Sequence, residues 1–508
     1  MSIRLTGMAS GLDTDTMVQD LVKASSSKKE NLEKSKTSLG WKQTAWSNLN
    51  TKIYSFFSKS LSNMKLEGSF NKKATAVADS SIAKVVAGDS AVNGTQSLTV
   101  KDLATAGYLT GGTVAKTDAT KATTATTLSE LTTLAAGDTA KLKVTVGGVE
   151  KEIELSGSST MADVVSKLNT AGVTASFDAT NQKLFVSSKS SGLANDFTVS
   201  TVDGDANSAT VLEGLKLSTT SGAIKINGQD ASITLNGADY TSSNNTFTVN
   251  GLTITAQKVS EKDTNGDYVG TTINTSDDIE GIYKMVKDFF GEYNKLMKEM
   301  DTLYNASSSK GYKPLTSEEK ESMSDDEVEK WETKIKDSLL RKDSSLNSVI
   351  TGMKNSMMQS IEVDGKQTSL ITFGIETMSY FLAADNEKGL YHIDGDADDS
   401  TSSGNTDKLK TAIASNPTQV STFFSQLATS LYDNLNTQMK STAYRSVYKV
   451  YDDKKIQKEY DDYDDKIAEQ EEKLTALEDK YYKQFSRMES AMTKMNSQQS
   501  ALTSMLGG

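Results

Sequence analysis

Three short stretches carry the residue types a cation site needs. Asp394-Gly-Asp396-Ala-Asp398-Asp399 resembles the start of a calcium loop, in which oxygen ligands recur at alternate positions. Asp399 stands where that loop needs glycine for its sharp turn, and Asn405 where a glutamate would close the shell. Asp263, Asn265 and Asp267 share the spacing, but Tyr268 takes the glycine place, and Asp203, Asp205 and Asn207 are followed by Ser208. Asp, Asn and Gly also favour turns for backbone reasons alone. The expectation is therefore three solvated turns and no metal site. His392 is the only histidine and there is no cysteine, so thiol chemistry, disulfides, zinc–thiolate sites and multi-histidine sites are excluded. A Ser-His-Asp triad would have to use His392, which reads as a solvated residue at a strand end. No dinucleotide fingerprint or phosphate-binding loop is present, and no carboxylate pair is marked for glycoside cleavage. No catalytic residue and no cofactor is expected. Seven tyrosines fall within 444–482. They could meet carbohydrate or an adhesive surface, but Tyr460, Tyr463 and Tyr481 sit at helical spacing, so helix packing is the expectation.

Composition narrows the partners. The formal charge of the 508-residue chain is −12, from 67 acids against 55 bases, and only Arg4, Arg341, Arg445 and Arg487 supply guanidinium groups. Nucleic-acid binding, which needs clustered basic residues, is not expected. No apolar run is long enough to span a membrane, and the opening MSIRLTGMASGLDTDT lacks the apolar core of a cleavable secretory signal. The length suggests three to four domains at about 150 residues each.

The elements that must position any function differ sharply along the chain. Residues 12–66 read as helix, with Asp13 or Asp15 as N-cap. Val18, Leu32, Leu39, Trp46 and Ile53 share one seven-residue register, with Ser25 between the first two. The companion positions are Leu21, Lys28, Ser35, Lys42, Leu49 and Phe56, so the apolar stripe is thin between residues 25 and 36. From 71 to 276 the period changes to two. Strands at 141–146 and 149–155 flank Gly147-Gly148, a helix at 161–170 opens with Thr160 and Asp163 spaced as a capping box, and strands at 173–177 and 183–187 complete a ββαββ unit. Further strands are expected at 223–227, 231–235, 246–249 and 252–257. Asn-Gly pairs at 93, 227, 236, 250 and 265 mark tight turns, and the Thr-, Ala- and Gly-rich stretch 111–127 reads as a linker. Helix returns at 279–304, 325–340, 344–358, 407–415 and 417–439, interrupted by strand-like pieces at 360–382 and a polar loop at 394–406.

The last fifty residues give the cleanest pattern. Tyr460, Ile467, Leu474, Tyr481, Met488, Met495 and Leu502 form one set, and Ile456, Tyr463, Gln470, Leu477, Gln484, Ala491, Gln498 and Met505 the other. Intervals of four and three alternate, which predicts a coiled coil or long paired helix spanning roughly 75 Å. The three glutamines either fix register or are half-buried. Charge favours pairing of the two ends: residues 1–70 carry a net +4 and residues 452–480 a net −6. Such exposed charges select a partner more than they bind it.

Helical ends around a β-rich middle are the layout of flagellar axial proteins, and here the match is specific. The run from Gly11 to Val22, Trp41-Lys-Gln-Thr-Ala-Trp46 and Leu49-Asn-Thr-Lys52 resemble the N-terminal domain of the filament-capping, or hook-associated protein 2, family. Gly311-Tyr-Lys-Pro-Leu-Thr316, Met323-Ser-Asp-Asp-Glu, Leu339-Leu-Arg341, Asn416-Pro-Thr-Gln-Val420 with Phe423-Phe424, and Phe485-Ser-Arg-Met-Glu-Ser-Ala-Met492 through Leu506 resemble its C-terminal domain. The ββαββ unit is similar to a repeat of flagellin and of this family, while the Asp-rich stretch 394–406 is longer than the family pattern. The resemblance implies an α+β multidomain chain, with helical, coiled-coil terminal domains packed together and antiparallel β-rich domains inserted. The expected parts are 1–40 with 451–508, a terminal coiled coil disordered before assembly; 41–75 with 277–450, a helical leg; 76–110 with 218–276, a β-rich plate; and 111–217, a second β-rich insertion.

The resemblance also implies a non-enzymatic cap at the distal end of the extracellular filament. It implies self-association as a ring, commonly a pentamer or hexamer, that promotes flagellin folding and insertion and prevents flagellin loss. Expected partners are further copies, flagellin, hook–filament junction proteins and an export chaperone at the C-terminus, with host mucin bound by some members. Export would follow the flagellar type III route without a cleaved signal. A hook–filament junction protein or a mucin-binding surface adhesin are the alternatives. The residues expected to carry oligomer and filament contacts are Leu32, Leu39, Trp46, Ile53, Tyr460, Ile467, Leu474, Leu477, Tyr481, Met488, Met495 and Leu502.

Overall fold

The computed structural model describes residues 11–379 and 387–507; the opening ten residues and the end of the 360–382 stretch lie outside them. The chain divides into two units, Met1–Phe70 with Ile279–Gly508, and Asn71–Asp278.

The expected opening helix is two helices. α1 (Thr14–Ser25) is capped by Asp13, whose carboxylate accepts from Thr16 N at 3.1 Å. α2 (Ser27–Phe56) follows after one residue. The break falls in the Ser25-Ser26-Ser27 run, where Ser26 Oγ donates to Lys23 O at 2.7 Å; serine hydroxyls compete in this way with the helical ladder. α2 passes through a π-turn at Phe57–Leu61 into α3 (Ser62–Met64).

The second unit begins with β1 (Lys73–Val77), β2 (Ala83–Ala87), β3 (Gly94–Asp102) and β4 (Tyr108–Thr110). After α4 (Leu128–Leu131) come β5 (Thr139–Val146), β6 (Val149–Ser156), α5 (Met161–Ala171), β7 (Val173–Asp178), β8 (Lys183–Ser188), β9 (Phe197–Thr201) and α6 (Ser208–Gly214). β10 (Ile224–Ile226), β11 (Ala231–Leu235), β12 (Ala238–Ser242), β13 (Thr246–Val249), β14 (Leu252–Ala256) and β15 (Thr271–Asp277) close it. The strand order β1-β15-β3-β11-β12, with β13-β14-β2, surrounds a core that includes Leu98, Val100, Ile233, Ile254 and Ile273. The predicted ββαββ unit is divided between two sheets. The β5/β6 hairpin joins β9, while β7/β8 joins β4 and β10, and α5 packs with both around Leu142, Leu155, Leu168, Val186 and Phe197.

The tight turns follow from residue type. Gly147-Gly148, Asn236-Gly237 and Asn250-Gly251 hold positive φ at both positions, as two-residue hairpins require. Asn227-Gly228 does something else: a Cβ on Gly228 would stand 2.7 Å from Gly192 O, so this glycine permits close backbone approach. The stretch 111–127 is not a free linker. Val114 and Ala122 are buried in the α5 core, and the Gln182 side chain holds Ala122 through its N (2.6 Å) and O (2.9 Å).

Helix then returns as α7 (Ile279–Tyr304), α8 (Ser317–Glu321), α9 (Asp325–Lys336) and α10 (Ser344–Met357). The hairpin β16 (Ile361–Val363)/β17 (Lys366–Thr368) and the pair β18 (Ile375–Thr377)/β19 (Tyr391–Ile393) precede α11 (Lys408–Ser415), α12 (Pro417–Gln438) and α13 (Asp453–Leu506). The buried face of α2, with Trp46, Ile53 and Phe56, packs with Phe289, Phe290 and Tyr293 of α7 and Phe423 and Phe424 of α12 in one core.

Candidate functional site: the paired terminal helices

α2 and α13 run antiparallel in a fixed register. Lys29 pairs with Glu471 at 2.8 Å, Lys36 with Asp464, and Gln43 with Gln457 at 3.2 Å. Each seven-residue step along α2 meets a seven-residue step back along α13, the spacing of a heptad pair. Gly40 lies against the Tyr460 ring, 3.4 Å from where a Cβ would stand, and the Lys36 ammonium sits 4.5 Å from that ring's centroid. At the base of the pair Trp46 stacks on Tyr451, 5.1 Å between centroids.

The thin middle of the α2 stripe has its explanation here. Lys29 and Lys36 turn to α13, and the Glu471 and Asp464 carboxylates push their pKa values up. On its other flank Lys34 meets Glu319 at 2.6 Å and Lys42 meets Asp343 at 2.8 Å, and on α1, just before it, Lys23 meets Glu318 at 3.0 Å. Lys34 in turn holds the Glu319 carboxyl below its usual range. Charge pairing on two sides takes the place of apolar burial. This flank, built from α8 and the Asp343 cap of α10, has no counterpart in the sequence reading, because residues so far apart leave no periodic trace.

The predicted contact residues fall into three groups. Trp46 and Ile53, 1% and 0% exposed, lie inside the core of their own unit, so their side chains face this chain rather than a partner. Leu32, Leu39, Tyr460, Ile467, Leu474, Leu477 and Tyr481 are half-buried along the pair. Met488, Met495 and Leu502 are 36%, 61% and 58% exposed. The structure thus places the first two in the core, the next seven along one intramolecular pair and the last three beyond it, since the same register sets Thr14 opposite about residue 486.

The Asp-rich stretch is tied internally. Lys287 Nζ donates to Asp396 (2.5 Å) and Asp398 (2.6 Å), Lys408 and Asn405 donate to Asp394 (3.1 and 2.7 Å), and His392 Nδ1 lies 2.7 Å from Asp399 Oδ2. Partial burial opposes the charge on Lys287, but its two carboxylate partners outweigh this and push its pKa up. His392 is the middle residue of β19 and largely buried, its side chain 10% exposed, rather than a solvated residue at a strand end. Among the described residues no group of acids and histidine is arranged to hold a metal ion.

Comparison with known proteins places this architecture. The sequence pattern of the flagellar hook-associated protein 2 C-terminus matches residues 228–497, and that of its N-terminus matches residues 10–107. The chain belongs to the flagellar hook-associated protein 2 family. Residues 141–190, within the ββαββ unit, match the flagellin hook IN motif. The flagellar hook-associated protein 2 of Halalkalibacterium halodurans is 25% identical over 546 residues, covering 98% of this chain and 99% of its own. The crystal structure of the flagellar cap protein FliD D1-D2-D3 domains from Escherichia coli shares the fold at TM-score 0.51 and 20% identity, over 78% of this chain and 97% of that one. FliD (HAP2) from Pseudomonas aeruginosa aligns at TM-score 0.33 and 22% identity, over 47% and 98% of the two chains. In this hook-associated protein 2 family member, both matched ends contribute to the antiparallel pair.

Proposed function

We propose that the chain is a non-enzymatic cap at the distal end of the bacterial flagellar filament. The observation that carries the reading is the match of both chain ends to one flagellar family, with those ends paired in a single helical element. In this reading copies form a ring of about five or six. The 76–110/218–276 and 111–217 parts form the plate, the 41–75/277–450 part the leg, and the 1–40/451–508 part the tip that meets the filament. The chain leaves the cell unfolded through the flagellar type III channel with an export chaperone on its C-terminus, and the terminal coiled coil orders on docking. At the tip the cap meets flagellin, above the junction proteins, and holds each emerging subunit while it folds. The exposed Met488, Met495 and Leu502 carry filament contacts, because an unpartnered apolar seam is stable only when something covers it.

Deletion of the gene separates cap from junction protein. Loss of a cap spills unpolymerised flagellin into the medium while hook and junction proteins stay on the cell. Loss of the junction proteins along with the filament would instead assign the chain to the hook–filament junction.

A further inference from the structure

The loop between α12 and α13 is rigidly held yet turns its aromatic residues outward. Arg445 donates to Asp452 Oδ1 from Nε (3.2 Å) and Nη2 (3.0 Å), and to Gln438 O from Nη1 (2.6 Å). Ser446 N donates to Asp453 at 2.7 Å. From α2, Asn50 donates to Tyr448 O at 3.1 Å and accepts from Val450 N at 2.9 Å. These bonds hold Tyr448 at φ 61°, a left-handed conformation that a tyrosine adopts only under constraint. Even so, Tyr444, Val447 and Tyr448 are 61%, 56% and 48% exposed, with Tyr54 5.3 Å from Tyr448. Pre-organised, exposed tyrosines are what the centre of a protein–protein interface is made of.

Charge says what kind of partner fits. Residues 440–458 hold six basic side chains and two acids, whereas residues 459–479 hold ten acids and two lysines. Asp464 and Glu471 turn to α2, while Asp462, Asp465, Glu469 and Glu472 are exposed one helical stripe away. Within a single copy α13 is one continuous helix, and it carries the stripe away from the loop tyrosines, from about 13 Å at Asp462 to about 28 Å at Glu472 beyond its first residue, Asp453.

We infer that the basic, tyrosine-bearing segment 439–458 of one copy, the loop with the first turns of α13, docks on the acidic outer stripe of α13, residues 462–472, of the next copy. The contact joins two different surfaces, so repetition of it closes a ring when the rotation allows. The inference rests on the ring reading above and names its contact.

The test uses the full chain in sedimentation velocity and light scattering, across concentration and salt. Lys440→Glu with Lys455→Glu, and separately Asp462→Lys with Asp465→Lys, each raise the concentration for half-assembly by about tenfold or more. The four substitutions together bring it back to within about threefold of the unaltered chain, and Tyr444→Ser with Val447→Ser weakens assembly at all salt concentrations. All of these residues except Lys455, which meets Glu459 at 3.9 Å, lie outside the ion pairs described for the fold, and circular-dichroism melts verify folding. Folded charge variants that assemble like the unaltered chain, or a folded fourfold variant that stays dissociated, overturn the inference and leave the ring standing. An unaltered chain that is monomeric at every concentration overturns the ring and the inference with it.

Discussion

Asn50 spends both ends of its amide on one backbone segment, Tyr448 O and Val450 N, and is 4% exposed. Asn50→Ala leaves a buried carbonyl and a buried N–H without partners. We expect it to cost about 2–3 kcal/mol in chemical denaturation, while Asn50→Asp, which can still accept from Val450 N, costs less. Nothing in the heptad pattern marks this residue, since its partners lie some 400 positions away. The acid limb of stability has a local source in Glu130, whose pKa is pushed down to about 2 by Lys116 and then by Thr127. A carboxyl depressed in the fold stabilises above its unfolded value near 4.5, and that contribution is lost as pH falls towards 2. Glu130→Gln should therefore make the thermal midpoint less dependent on pH between about 4.5 and 2, as melts at stepped pH would read. The equivalent capping box at Thr160 and Asp163 was legible in sequence. The one at Thr127 and Glu130 was hidden by the composition of the stretch before it, which reads as a linker but is packed.

At the scale of elements, seven-residue periodicity revealed the long C-terminal helix and the thin middle of the N-terminal stripe, and opposite net charge pointed to the pairing of the two ends. The period could not reveal that Lys34 in the weak middle is met by Glu319, nor the break at Ser26. Periodicity also overstated the seam. Trp46 and Ile53 share a register with Leu32 and Leu39, yet burial assigns them to the unit's own core, because the second half of α2 packs against α7. Two predictions belong here. Gly40→Leu should push the Tyr460 ring off α2 and lower the melting temperature by several degrees, whereas Gly40→Ala should change it little. A chain ending at residue 486 should melt within about 2 °C of the full chain, since the helix beyond is largely exposed and adds few contacts to the fold.

At the scale of the whole molecule, Asn71–Asp278 has hydrophobic cores of its own and should fold when expressed alone, with a single cooperative melt or two resolved ones. The α+β character was legible because helix and strand write simple periods into the chain, and the pairing of the ends because their net charges are opposite. The division of the ββαββ unit between two sheets was not, because it depends on which strands meet, and β4 finds β8 across the whole unit. The account turns on the terminal pair and the helix beyond it acting at the filament tip. The direct measurement is electron microscopy of flagella on cells whose sole copy carries Leu474→Asp and Met488→Asp, with flagellin assayed in the medium. The account predicts exported protein, absent filaments and free flagellin. Filaments of normal length and number on those cells would contradict it.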